Sequence, residues 1–168
     1  MTDAQSLIHK YQLTPHPEGG HYCSTYRSSL VLPAAALPAD FAGDRAVSSA
    51  IYFLLQAGEF SAFHRIKSDE CWHFYEGGPL WIHCLDKQGR YQRYTLGAST
   101  YENSLYQLVV PAGTWFASEP VPGSAYSFVG CTVSPGFDFA DFEMAGAARL
   151  AVLYPDCQEL VLSRCRLP

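Results

Sequence analysis

The chain has 168 residues, of which 48% are apolar and 16% charged, a composition typical of a globular protein rather than a disordered one. Its formal net charge of -5, with scattered Lys and Arg residues, offers no basic surface for nucleic acid. No apolar run approaches the length of a membrane span, and the N-terminus lacks a signal-peptide pattern. We therefore expect one domain over residues 1–168, in the cytoplasm, with six reduced cysteines.

The first predicted elements are a short helix and a strand, joined by a rigid loop. Thr2 and Gln5 have the spacing of a capping box, which predicts a helix from about Asp3 to Tyr11. Two prolines and two glycines predict a loop before a strand over residues 21–27. In that loop, Glu18 and the two glycines after it either form a tight turn or shape a pocket lid.

The middle of the chain is rich in strand signals separated by turn residues. The eight further strands predicted there span residues 47–55, 61–67, 70–76, 80–85, 90–96, 107–110, 115–117 and 124–133. Short strands at this spacing favour an all-β barrel or jelly roll over alternating βα units. The tail predicts two short helices, one over residues 145–154 and one that begins at Pro155.

A central segment carries the pattern of a metal site in which one ligand position is apolar. The pattern is G-x5-H-x-H-x3-E-x6-G, and its positions are Gly58, His64, Glu70 and Gly77, with Ile66 in place of the second histidine. An imidazole and a carboxylate that face an apolar wall indicate either a chemical site or the remnant of one.

Strand geometry predicts which of these side chains meet. Alternate residues of a strand share one face, so His64 and Ile66 point the same way. A strand–turn–strand hairpin would then gather them with Glu70 and Trp72 on an inner face. The same alternation places His73 on the opposite face, which removes it from the candidate site.

A second segment, residues 111–116, reads P-A-G-T-W-F. Together with the first motif, five stretches of the chain resemble the cupin superfamily and, within it, the cupin-5 family, a domain of unknown function. They are PEGGHYCSTYRS (17–28), SSAIYFLL (48–55), FHRIKSDECWHF (63–74), LVVPAGTWFAS (108–118) and SPGFDFADFEMA (134–145). The resemblance extends from about Leu7 to Leu162. It implies an RmlC-like jelly roll, that is, an antiparallel β-barrel with an open pocket, and usually a homodimer, but no particular reaction.

A metal-binding cupin typically offers three histidines and one glutamate. Here Ile66 and Phe116 stand in two of the histidine positions. Two protein ligands are too few for firm binding of a divalent metal, because even catalytic zinc sites keep three. We therefore expect no cofactor. A divalent transition metal, if bound, would use His64 and Glu70, with His83 or His21 as a possible third ligand.

Without a metal, the same pair supports acid–base chemistry. Glu70 would orient His64 and stabilise its imidazolium, and His64 would act as the base next to a carbonyl. Some cupin-fold sugar-nucleotide epimerases use a His, an acidic partner and a Tyr in this way. Residues 22, 26 and 52 are candidate tyrosines, among which the sequence does not choose. We assign Tyr52 to the catalytic set, and the predicted ligand-binding set is Ile66, Trp72, Phe116, Tyr22 and Tyr26.

Three functions stay open at this stage. The first is a metal-independent isomerase or epimerase acting on a carbohydrate-like or nucleotide-linked carbonyl compound in the barrel. The second is a metal-dependent oxygenase or hydrolase that recruits a further ligand. The third is a non-catalytic module that binds a metabolite.

An acidic and aromatic cluster precedes the tail. Asp138, Asp141 and Glu143 alternate there with three phenylalanines. The cluster could close over the barrel mouth. The structural alternative is that Asp141 starts the C-terminal helix, where a negative charge is favourable.

Overall fold

The computed structural model describes residues 3–167, which form fourteen strands and three short helices. The helices are α1 (Ala4–Tyr11), α2 (Ala147–Leu153) and α3 (Gln158–Ser163), with 3-10 turns at Ala34–Ala36, Phe139–Asp141 and Pro155–Cys157. The strands are β1 (Thr14–Pro15), β2 (His21–Arg27), β3 (Val31–Leu32), β4 (Arg45–Ala46), β5 (Ser49–Gln56), β6 (Ser61–Arg65), β7 (Asp69–Gly77), β8 (Leu80–Leu85), β9 (Tyr91–Leu96), β10 (Ser104–Leu105), β11 (Gln107–Val110), β12 (Trp115–Pro120), β13 (Tyr126–Ser134) and β14 (Glu143–Met144).

Hydrogen bonds between strands divide them into two six-stranded sheets. The first has the order β1-β2-β5-β13-β7-β11, the second has the order β10-β9-β8-β12-β6-β14, and β3 and β4 form a separate pair. The pairings are antiparallel except for the short parallel pair of β9 and β10. The predicted all-β jelly roll with short terminal helices is confirmed, although its strands form two sheets and not a closed barrel.

Apolar side chains from both sheets form the inter-sheet core. Phe53 and Trp72 of the first sheet pack there with Ile82 and Phe116 of the second. The outer faces are covered as well. Helix α1 packs Leu7 against the first sheet, and the C-terminal helices pack over the second. Both β5 and β6 are therefore buried on two faces, which hides the alternation that a half-exposed strand would show.

The predicted hairpin between the strands of the central motif is wrong. Strand β6 pairs with β12 and β14 in the second sheet, whereas β7 pairs with β13 and β11 in the first. The segment around Ile66 is thus a corner where the chain crosses between sheets. His64 and Glu70 still meet, because both point into the space between the sheets.

The helix ends differ in detail from the predictions. Thr2 lies outside the described residues, and α1 is capped instead by Asp3, whose carboxylate accepts the Ser6 N–H at 2.7 Å. Asp141 does not start the C-terminal helix, which begins at Ala147. Its carboxylate is buried and accepts two hydrogen bonds from the Arg45 guanidinium, at 2.7 and 2.8 Å. A tertiary ion pair has replaced the expected helix-end interaction.

Two further expectations concern the chain as a whole. The six cysteines are free thiols. Within residues 3–167, no helix is both long enough and apolar enough to cross a membrane. The homodimer stays a prediction.

Candidate active site

A small chamber lies between the two sheets, next to the inter-sheet core. Its volume is about 50 Å³, which corresponds to roughly four water molecules. Five of its lining side chains carry an acid, an imidazole or a thiol, namely His16, Glu18, His64, Glu70 and Cys131. Most of the others are apolar or aromatic. The chamber therefore concentrates titratable groups in a setting of low polarity.

The His64 side chain is held by its own strand. It is buried, and its Nδ1 lies 2.8 Å from the backbone oxygen of Ala62. A carbonyl oxygen only accepts hydrogen bonds, so Nδ1 carries a proton and donates it to this contact. The other nitrogen, Nε2, lies 3.2 Å from Oε2 of Glu18.

His64 Nε2 and Glu18 Oε2 are close enough for a proton to pass between them. Because Nδ1 is already protonated, the contact is either a carboxylic acid that donates to a neutral imidazole or an imidazolium that donates to a carboxylate. Burial raises the pKa of Glu18, and it lowers the pKa of His64. Both shifts favour the neutral pair, with the proton on Glu18. The ionised form is disfavoured because burial removes water from both charged groups.

The loop before β2 positions Glu18. The backbone carbonyl of Glu18 accepts the Ala62 N–H at 2.8 Å, and this bond attaches the loop to β6. Ser61 donates its hydroxyl to Oε1 of Glu18 at 2.9 Å, so that oxygen is an acceptor and Oε2 is the one facing His64. The Glu18 N–H donates to Nδ1 of His16, at 3.3 Å, which fixes Nδ1 of that ring as an acceptor. Burial lowers the pKa of His16, in agreement with a neutral ring.

Glu70 is a second acid in the chamber. Burial raises its pKa to about 7, and the positive form of His64 and a hydrogen bond with Cys131 only partly offset that effect. The nearby Glu18 carboxyl adds to the rise. Near neutral pH, Glu70 is therefore present as both acid and carboxylate, which suits a group that takes and returns a proton.

Aromatic rings close the chamber around His64. The ring of Phe116 lies 4.1 Å from the His64 ring, between centroids, and that of Phe142 lies 5.3 Å away. Phe137 lines the chamber directly. The segment that carries Phe137 and Phe142 is anchored by the buried ion pair between Arg45 and Asp141. This acidic and aromatic cluster therefore lies beside the chamber, and its closing role stays a prediction.

A second space, the outer cleft, adjoins the chamber. Its volume is about 490 Å³, and Ile66 lines both spaces. Phe142 lines the outer cleft and also contacts His64, so these two apolar side chains form the partition. The cleft is mostly polar, and its charged lining residues are Asp40, Arg65, Lys67, Lys87, Asp141 and Glu143.

The structure brings together some of the predicted site residues. His64, Glu70, Ile66 and Tyr22 line the chamber. Phe116 contacts His64 from the inter-sheet core.

Three other predicted site residues do not line the chamber. Trp72 lies deeper, in the core, with its ring edge-to-face against Phe116 at 6.1 Å. Tyr52 faces the opposite side of β5, where it packs with Tyr11 of α1. Tyr26 is 54% exposed and does not line the chamber. Tyr22 is the candidate tyrosine that remains, and its ring packs edge-on against His16 at 4.6 Å.

Sequence reasoning missed the partner that contacts His64. Glu18 takes the place that was predicted for Glu70, and His16 and Cys131 were not predicted at all. A signal for Glu18 did exist, because it stands in the PEGG stretch that carries the cupin resemblance. It was interpreted as part of a turn or lid, since nothing in the local pattern places residue 18 beside residue 64.

Comparison with known proteins agrees with this architecture. The family model described as Cupin superfamily (DUF985) matches residues 5–145. The chain belongs to this cupin family. The cupin is also 27% identical to the uncharacterized protein YML079W of Saccharomyces cerevisiae over 146 residues, which cover 82% of this chain and 72% of that protein.

Solved structures extend the comparison. Protein SO0799 from Shewanella oneidensis is 37% identical, with a TM-score of 0.87 over 100% of both chains. A hypothetical protein from Leishmania major is 35% identical, with a TM-score of 0.84 over 99% of this cupin and 100% of that chain. A variant of oxalate decarboxylase from Bacillus subtilis matches at 13% identity and a TM-score of 0.54, over 92% of this chain and 37% of its own. That last likeness concerns the fold alone.

The chamber does not fit a cupin metal centre. Ile66 and Phe116 fill two ligand positions with apolar groups, and both nitrogens of His64 are occupied by Ala62 and Glu18. Across residues 3–167, no group of three or more His, Cys, Asp or Glu side chains is placed to hold a metal ion. Neither His21 nor His83 lines the chamber, so neither supplies the missing ligand.

Proposed function

We propose that this cupin is an acid–base catalyst of the isomerase or epimerase type, which acts without a metal on a carbohydrate-like carbonyl compound. The observation that carries the proposal is the contact of 3.2 Å between Glu18 Oε2 and His64 Nε2 in the chamber, across which a proton can pass. Glu70, with its pKa of about 7, supplies a second acid–base group beside this pair.

The reaction needs both groups. The Glu70 carboxylate takes the proton from the carbon next to the carbonyl, and the electron pair of the broken C–H bond forms the C=C bond of an enediol. The carbonyl oxygen takes the proton of the Glu18–His64 pair at the same time. Glu70 then returns its proton to the neighbouring carbon, and the other enediol hydroxyl returns a proton to the pair.

The size of the spaces indicates how the substrate would lie. At about 50 Å³ the chamber holds only the reacting carbonyl and its neighbouring carbon, whereas sites for larger ligands usually measure several hundred Å³. The outer cleft, at about 490 Å³, could take the rest of a sugar or a linked nucleotide once Ile66 and Phe142 move aside. Its charged lining suits a hydroxyl-rich ligand better than an apolar one.

Solvent exchange tests the proposal without knowledge of the natural substrate. The protein is incubated in D2O with dihydroxyacetone, glyceraldehyde, erythrulose and larger aldoses and ketoses. Proton NMR then follows the loss of the C–H signal next to the carbonyl. We expect exchange well above the buffer rate for at least one compound, and a loss of roughly 100-fold or more in His64→Ala.

Exposed residues of the same types provide matched controls. His9→Ala and Glu102→Gln change exposed side chains that do not line the chamber, and both variants should exchange like the wild type. Equal exchange in the wild type and His64→Ala would overturn the proposal. Tight binding of one of these sugars without any exchange would identify a binding module instead.

A further inference from the structure

The C-terminal tail contacts the loop that carries Glu18. Arg166 donates from Nε to the backbone oxygen of Glu18 at 2.9 Å and from Nη2 to the backbone oxygen of Phe60 at 3.3 Å. Its guanidinium also lies over the Phe60 ring, 4.7 Å from the centroid. One side chain therefore joins the Glu18 loop to the segment that leads into β6.

The tail is fixed on both sides of Arg166. The backbone oxygen of Arg164 accepts the Phe63 N–H at 2.8 Å, and that of Leu167 accepts the Ala147 N–H at 3.0 Å. These contacts attach the tail to β6 and to the start of α2. Arg166 is thus presented to the loop by a backbone that has few ways to move.

The loop is shaped to admit the guanidinium. Gly19 has a φ of +116°, and a Cβ at this position would lie 2.6 Å from Nη2 of Arg166 and 2.1 Å from the Phe60 oxygen. Only glycine allows this backbone angle together with such a close approach. The residue next to Glu18 is therefore matched to the arginine.

The contact acts on the same carbonyl that docks the loop. The Glu18 backbone oxygen accepts both the Ala62 N–H, at 2.8 Å, and the Arg166 guanidinium. Ala62 in turn provides the carbonyl that holds the His64 ring. The positive charge of Arg166 also opposes the rise that burial imposes on the pKa of Glu18.

We infer that Arg166 is a positioning residue, which holds the Glu18 carboxyl against His64 from outside the chamber. The inference rests on the proposed role of that pair. Arg166 lies beyond residues 5–145, which the family model matches. The residue that holds the Glu18 loop in place is supplied by the C-terminal tail.

Arg166→Gln tests the inference, because Arg166 is exposed and its loss leaves no buried hole. The first readout is the His64 Nε2 signal in histidine-labelled NMR spectra, assigned with His64→Ala. We expect it to move toward the position of an unbonded nitrogen. The second is exchange activity, which should fall roughly tenfold to a hundredfold, as when a catalytic group is misplaced. Its pH profile should shift upward, because Glu18 loses a nearby positive charge.

Two variants provide the comparison. Arg166→Lys keeps the charge but not the two-pronged donor, so it should restore the pH profile more fully than the rate. Arg90→Gln removes an exposed arginine paired with Asp86 and should change neither readout.

A folded Arg166→Gln protein with an unchanged Nε2 signal and an unchanged pH profile would overturn the inference. If the wild type catalyses no exchange at all, the proposed function fails, yet the Nε2 signal still decides whether Arg166 positions Glu18.

Discussion

Among residues 3–167, two close histidine–glutamate contacts lie on opposite faces of the second sheet, besides the longer contact of His16 with Glu18 at 3.5 Å. His64 contacts Glu18 in the chamber at 3.2 Å, and His83 contacts Glu119 at 3.0 Å beneath the C-terminal segment. Both imidazoles are almost fully buried. The same two residue types at nearly the same distance therefore invite comparison.

In the outer pair, formed by His83 and Glu119, the hydrogen-bond partners fix the position of each proton. Burial alone would raise the pKa of Glu119, but the hydrogen bonds and charges of Arg164 and His83 outweigh it and lower the pKa. The ionised Glu119 accepts from Nε2 of His83, which leaves Nδ1 to accept from the Tyr91 hydroxyl at 2.9 Å. Arg164 completes the cluster at 2.7 Å from Glu119.

The inner pair, formed by His64 and Glu18, has no such cation beside its carboxyl group. Glu18 has no arginine or lysine in ion-pair contact with its side chain among residues 3–167, and its pKa is raised instead of lowered. No cation therefore holds Glu18 in its ionised form, so its carboxyl group can keep a proton for transfer, and the chamber volume lies next to it. A carboxylate whose charge is fixed by hydrogen bonds and a neighbouring cation stabilises the fold. A carboxyl group without such a cation is available for proton transfer.

The largest expected effect separates the two pairs by activity. Glu18→Gln removes the shared proton and should reduce solvent exchange by roughly 100-fold or more, because general acid–base groups typically contribute that much. Glu119→Gln should leave exchange within about twofold of the wild type. Both rates come from the same NMR assay, with circular dichroism as the check on folding. Equal losses in the two variants would remove the distinction.

The next effect concerns the pH dependence of stability in the chamber. The folded pKa of Glu70, about 7, exceeds its ordinary value of 4.5, so the folded protein loses stability as pH rises through this range. Glu70→Gln stays neutral and does not lose this stability. From pH 5 to pH 8, the unfolding free energy of the variant should therefore rise relative to that of the wild type by roughly 2 to 3 kcal/mol. Urea unfolding at both pH values measures this, and the exposed Glu102→Gln is the control. A difference in unfolding free energy between Glu70→Gln and the wild type that does not change with pH would contradict the expectation.

A smaller effect tests the outer pair as a structural element. Glu119→Ala leaves His83 and Arg164 without their shared acceptor and should lower the unfolding free energy by about 2 kcal/mol. Glu18→Gln should lower it by less than about 1 kcal/mol, because an amide keeps a similar shape and hydrogen-bonding capacity. Urea unfolding at pH 7 compares them. The reverse order would assign the structural role to the inner pair.

The smallest effect is expected on the far side of the first sheet. Tyr52→Phe should change exchange activity by less than about twofold, because this ring packs under α1 and not in the chamber. Tyr22→Phe is the matched substitution inside the chamber, where the same change removes a polar atom near the reacting groups. Rates for the two variants are measured side by side. A large loss in Tyr52→Phe alone would place the reaction elsewhere.

Local sequence patterns predicted most of the strands, since turn residues and apolar runs mark them directly. Strands β2, β8 and β11 were predicted with their observed bounds. The partner of β6 was not predictable in this way. Side-chain alternation says which face a residue takes, but not which sheet its strand joins.

The candidate site depended more heavily on tertiary contacts. His64 and Glu70 were found because a short motif carries them, whereas Glu18 reaches Ser61 from 43 residues away along the chain. Tyr52 was misplaced because β5 is covered on both faces and shows no clear alternation. Asp141 was misassigned because its partner, Arg45, lies 96 residues away.

The contact between Arg166 and Glu18 joins segments 148 residues apart, and this separation has a consequence for biosynthesis. At typical elongation rates of 5 to 20 residues per second, the Glu18 loop is made roughly 7 to 30 seconds before its tether. The two sheets can begin to assemble in that interval, while the loop awaits the arginine. In a nascent chain, the Glu18 loop is therefore made long before the residue that tethers it.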